Sequence, residues 1–194
     1  FQNALAGGDA LSLAATVKVY PAPEGEVLST DYTVQVEGQD TPVYVAKVSP
    51  ADQKARWKGM DDKANSADYF ETASFTYFAF EGTVRIQLTC PQAVRSAKVL
   101  PSSYGIQPSV NGKTITIQLD QPRHLTVEIN DRWVGALHIF GNPPETDVPR
   151  PDDPNVIFYG PGIHEVGSLT VPSGTTVYVA GGMTMYCLDA ATGE

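Results

Sequence analysis

Cysteine is nearly absent. Cys90 and Cys187 are the only two among 194 residues, they lie far apart, and neither stands at a C-x-x-C or Cys/His ligand spacing. This excludes a disulfide-stapled miniature fold and a structural metal site, and leaves either one Cys90–Cys187 bridge or two buried thiols. Positive charge is also scarce, with 13 Lys and Arg against 22 Asp and Glu and a formal net charge of −9. The cations are scattered singly, so no basic stripe exists to neutralise phosphates, and nucleic acid is excluded as a partner. Long apolar runs are missing: with 42% hydrophobic residues, no stretch approaches the ~20 consecutive apolar residues of a membrane-spanning helix. No membrane partner is expected. The chain begins at Phe1 rather than Met, without a charged and then apolar leader, as expected after removal of a signal peptide or a tag.

What is present is period-2 alternation rich in Val, Thr, Ile and Tyr. It predicts strands over Ala15–Tyr20, Tyr32–Glu37, Thr41–Val48, Ser74–Phe80, Val84–Thr89, Ala97–Leu100, Thr114–Leu119, Leu125–Ile129 and Leu137–Phe140. Turn signals separate them at sandwich-like spacing: PAPEGE, EGQD, EGT, NGK, QPRH and NDRW. VNGKT is the clearest hairpin, because Asn111-Gly112 suits the positive φ of a type I′ turn. The links are mostly too short for parallel crossovers, so antiparallel pairing is expected. Pro50–Asp68 (PADQKARWKGMDDKANSAD) has neither period and reads as a long surface loop with a helical turn. The expected unit is an antiparallel β-sandwich over residues 1–141.

The texture then changes. GNPPETDVPRPDDPN carries five prolines, which fix φ and remove backbone donors, so residues 142–155 read as an extended linker. Beyond it, Val156–Tyr159, Gly167–Val171 and Thr175–Ala180 read as short strands separated by GPGIHE and PSG turns. Three short strands cannot cover both of their faces. Either they pair back onto the sandwich as edge strands, or they begin a solenoid in which each coil needs the next.

The pattern QPRHLTVEINDRWVGALHIFGNPPE, followed by NVIFYGPGIHEVGSLTVPSGTTVYVAGG, resembles a junction in polysaccharide hydrolases of the dextranase and polygalacturonase-like kind. There an N-terminal β-sandwich meets a right-handed parallel β-helix. The resemblance runs from Ser74 to Gly182: SFTYFAFEGTVRIQL matches the sandwich strands, HIFGNPPE the exit, and GPGIHEVGSLTVPSGTTVYVAGG the first coils. It implies an all-β fold, a sandwich followed by the first coils of a right-handed parallel β-helix, with residues 156–194 the truncated start of that helix. It implies a secreted or periplasmic glycoside hydrolase acting on a polysaccharide or oligosaccharide. The catalytic carboxylates of such enzymes lie on later coils, so no catalytic residue is assigned here and the downstream helix is absent from this chain. The competing reading is a free-standing carbohydrate-binding or surface-interaction module.

The remaining constellations are weak. Asp61-Asp62 and Asp152-Asp153 are adjacent carboxylates in loops, whereas a glycosidase pair needs carboxyls about 5–9.5 Å apart across a cleft; both pairs read as solvated loop charges. His164 and His138 have no second ligand at metal spacing and read as structural, His138 with a hydrogen bond across the domain interface. G-x-S-x-G is absent, and the GPG and GG steps precede no helix, so neither a nucleophile elbow nor a phosphate loop is expected. No metal and no cofactor are expected. Trp57, in the irregular loop, and Trp133, in the NDRWVG turn near the interdomain surface, are the candidate sugar contacts, because an exposed indole face stacks on a pyranose ring.

Overall fold

A computed structural model describes residues 15–48 and 71–186. Trp57, Asp61-Asp62 and Cys187 lie outside the described residues. In chain order the strands are β1 (Thr16–Val19), β2 (Thr33–Val36), β3 (Gln39–Thr41), β4 (Tyr44–Val48), β5 (Glu71–Glu81), β6 (Val84–Thr89), β7 (Ala97–Leu100), β8 (Ser109–Asn111), β9 (Thr114–Leu119), β10 (His124–Ile129), β11 (Arg132–Asn142), β12 (Val156–Tyr159), β13 (Gly162–Glu165), β14 (Thr176–Val179) and β15 (Met183–Tyr186). Among the described residues the only helical element is a 3-10 turn, Ser102–Tyr104.

Alternation builds two sheets that face each other. On one, Val34 and Val36 (β2), Val84, Ile86 and Leu88 (β6), and Ile115, Ile117 and Leu119 (β9) are buried, in a five-stranded antiparallel sheet of order β3-β2-β6-β9-β8. On the other, Phe78 and Phe80 (β5), Val99 (β7), Leu125 and Val127 (β10), and Leu137 and Ile139 (β11) turn inward from a six-stranded sheet of order β1-β5-β11-β10-β7, with β4 also paired to β5. These side chains form one core cluster. At about 1.5–3 kcal/mol for each fully buried large apolar side chain, that cluster is the principal stabilising term.

Expected strands recur with particular corrections. The Thr41–Val48 run is broken at Pro42-Val43 into β3 and β4, because proline cannot donate to a ladder and the chain there leaves one sheet for the other. Not all pairing is antiparallel: β5 and β11 run parallel, Leu137 opposite Ser74 through Asn142 opposite Ala79. The crossover this requires is supplied by the whole segment β6 to β10. The hairpin loops are also redistributed. Glu37-Gly38 (φ 47° and 78°) and Asn130-Asp131 (φ 55° and 58°) have the paired positive φ of type I′ turns. In VNGKT, by contrast, Asn111 pairs with Thr114 and the loop is Gly112-Lys113, with Gly112 alone at positive φ.

The C-terminal strands do not join the sandwich sheets. β12 pairs in parallel with β14 (Val156 opposite Thr176), and β13 in parallel with β15 (Gly162 opposite Met183). The offset is a solenoid-like repeat of about 20 residues. This makes two successive parallel coils. Two expectations are corrected within them. Gly162–Glu165, read as a turn, is a strand because its ladder partner arrives one coil later; Gly167–Val171, read as a strand, is an irregular connection in which Leu169 and Val171 are exposed. Phe158 and Tyr178, opposite each other in register, stack with centroids 4.9 Å apart.

Candidate functional site

Side chains on the outer face of the six-stranded sheet follow from the same alternation: once Leu125 and Val127 point inward, Thr126 and Glu128 point out, and likewise Ala136 and His138 flank the inward Leu137. Rings cross this face in a continuous row. Tyr20 stacks on Tyr77 (5.6 Å), Tyr77 on Tyr44 (5.6 Å) and Tyr44 on Phe75 (5.3 Å); Phe75 meets Phe140 edge-on (6.3 Å), and Phe140 meets His124 (5.2 Å).

One end of the row receives the first coils. The Gly182 amide donates to the Tyr77 hydroxyl at 2.9 Å, and Gly181 lies so close to the Tyr20 ring that a Cβ there would overlap it. The Tyr178 hydroxyl, on the second coil, donates to the Glu145 carboxylate, 3.0 and 3.1 Å from its two oxygens, tying that coil to the proline-rich segment. Burial and this carboxylate push the Tyr178 phenol pKa upward.

On the same face lies a groove of about 470 Å³, lined by Ala73, Thr126, Glu128, Trp133, Ala136 and His138 among others, whereas the far end of the row, Phe140 and His124, lines a different cavity. Its making is local. Ile129 pairs with Arg132 but Val127 with Leu137, so Glu128 alone stands opposite the four residues Trp133 to Ala136. This bulge, with Gly135 at φ 75°, turns Trp133 outward, where it is 64% exposed. Tyr32, just before β2, secures the bulge from beneath by donating its hydroxyl to the Gly135 carbonyl. Burial, reinforced by Cys90 and Asp31, pushes the Tyr32 phenol up to about 12. In the groove, His138 Nδ1 is 3.0 Å from Thr126 Oγ1, which fixes the ring and leaves Nε2 for a second partner. Lys98 Nζ stands 4.0 Å from the Glu128 carboxylate.

Trp133 is therefore a β11 residue rather than a turn residue, and among the described residues none of either coil lines its groove. His138 bonds within its own sheet rather than across a domain boundary. His164 is on β13, its Nε2 2.8 Å from the Gly160 carbonyl, with its ring edge-on to Tyr159. Asp152 stands 3.7 Å from Arg150, and the Asp153 carboxylate accepts the Asn155 amide at 2.9 Å, so this pair shapes a turn. Cys90 is buried and its thiol pKa is pushed upward by desolvation. Among the described residues no group of three His, Cys, Asp or Glu is placed to hold a metal ion, and no helix is long and apolar enough to cross a membrane. Sequence reasoning did not assemble Thr126, Glu128 and His138 beside Trp133. The available signal was Gly135, a glycine interrupting a strand run, which commonly marks a bulge.

No family model matches the chain, and no curated protein matches it. Among solved structures, Dex49A from Penicillium minioluteum superposes with a TM-score of 0.62 at 15% identity, over 89% of this chain and 45% of that one. The chain thus spans less than half the length of this neighbour. At that identity the likeness establishes a shared all-β fold.

Proposed function

We propose that this chain is the non-catalytic N-terminal portion of a secreted or periplasmic polysaccharide-degrading glycoside hydrolase, in which residues 1–141 are a sandwich that seats and orients a parallel β-helix beginning after the proline-rich residues 142–155. The observation that carries this reading is the pair of parallel coils abutting the sandwich at Tyr20 and Tyr77. A ladder that repeats every 20 residues or so gains its core only by addition of further coils. Two supports agree with it: the resemblance of the 74–182 region to dextranase and polygalacturonase-like hydrolases, and the fold likeness to Dex49A. The handedness of the coils belongs to the same proposal, as does a poly- or oligosaccharide as the partner.

The test is to express the protein encoded by the complete reading frame beside the 194-residue chain and to assay both for reducing ends released from polysaccharides. The expected outcome is hydrolysis by the former and none by the latter. Hydrolysis by the 194-residue chain, or by neither protein, counts against the proposal. The second reading, a carbohydrate-binding module without chemistry, is favoured specifically by the exposed Trp133 in its groove; it requires glycan binding in the absence of any hydrolysis by the complete protein.

A further inference from the structure

We infer that the Trp133 groove binds a neutral polysaccharide strand, a binding site on the sandwich separate from the coils; this deepens the reading of the sandwich as a substrate-orienting unit and rests on it. Three observations converge. First, an indole is held outward rather than folded onto the sheet: the bulge opposite Glu128 projects Trp133, and the Tyr32 hydroxyl bonded to the Gly135 carbonyl fixes the bulge from below. A preorganised aromatic surface loses little side-chain freedom on binding. Second, the groups around the indole are short-range hydrogen-bonding partners: His138 Nε2, with its ring set by Thr126, and the Glu128 carboxylate. A pyranose presents that same combination, an apolar C–H face for the indole and equatorial hydroxyls for carboxylate and imidazole. Third, charge selects among glycans. The chain carries a formal charge of −9, and among the described residues the charged group lining the groove is the Glu128 carboxylate, which Lys98 faces. An acidic glycan would be repelled and a neutral one is not. The groove, at about 470 Å³, falls within the about 300–1,000 Å³ of small-ligand sites.

The face carrying this groove is the one whose ring row reaches the coils at Tyr77, so a strand held at Trp133 is presented along the side of the molecule where the coils begin.

The experiment is affinity electrophoresis of the 194-residue chain through gels containing dextran, a neutral glucan, or polygalacturonate, an acidic one. The wild-type chain should be retarded by dextran and not by polygalacturonate. Trp133→Ala should weaken the retardation about ten-fold, the ratio that corresponds to about 1.4 kcal/mol, with unchanged circular dichroism because the side chain is exposed. In a Trp57→Phe chain, Trp133 is the only indole, and its emission should shift to the blue on addition of dextran. Equal retardation of Trp133→Ala, retardation by polygalacturonate instead, or retardation by neither gel would overturn the inference. None of these results bears on whether the complete protein hydrolyses polysaccharide, so the two readings fail separately.

Discussion

Tyr32 is the residue on which the groove depends without belonging to it. Replacing it by Phe deletes one hydrogen bond and leaves the Gly135 carbonyl unpaired, which should cost about 1–3 kcal/mol of stability. Its ionisation gives a second readout. The folded-state pKa of about 12 lies above the ordinary value near 10, so the unfolded state surrenders the proton first as pH rises. The phenol's contribution is therefore complete below pH 10 and is lost progressively between about 10 and 12. Melting midpoints of wild type and Tyr32→Phe should converge across that window; curves that stay parallel would show that the phenol is not buried in this bond. Dextran affinity should fall in Tyr32→Phe although no sugar touches the residue. At this scale Trp133 could be named as a sugar candidate because the chemistry of an indole is intrinsic to it, whereas nothing in the sequence placed His138 and Glu128 beside it. Those two line the same groove because β10 and β11 pair across the irregular register between Val127 and Ile129, a bulge whose one local signal was Gly135.

Elements divide by whether their partners are local. The strands of the sandwich were legible because alternation reports which face is buried, and Val84, Ile86 and Leu88 are buried as that pattern requires. The parallel β5–β11 pairing and the β13–β15 pairing were not, since each joins segments at least about twenty residues apart. The β2–β3 turn offers a direct check of local geometry. Gly38 sits at φ 78° with open space around it, so Gly38→Ala should cost about 1–2 kcal/mol through backbone strain alone, measured by denaturant unfolding. At the seam between sandwich and coils, Gly181→Ala drives a Cβ into the Tyr20 ring, itself stacked on Tyr77, and should cost about 1–3 kcal/mol. Gly160→Ala, whose Cβ would meet Phe158 at an ordinary 3.7 Å, is the matched control. Equal stability of the two variants would mean that the coil does not seat on Tyr20.

For the molecule as a whole, everything proposed about its role depends on the last two coils being the start of a solenoid seated on the sandwich rather than strands added to its edges. The proline-rich segment and the short glycine-bounded runs made a change of architecture readable in the sequence; the coil pairing itself was readable only through resemblance. The most direct measurement is a nuclear Overhauser spectrum of the assigned 194-residue chain that asks which backbone protons lie against those of Val156–Tyr159 and Gly162–Glu165. The expected contacts join Ile157 to Val177 and His164 to Met185, partners one coil apart, together with a contact from Gly182 to the Tyr77 ring. Contacts that instead join Val156–Tyr159 to an edge strand of the sandwich, β1, β3, β4, β7 or β8, would contradict the assignment and with it the role proposed for the chain.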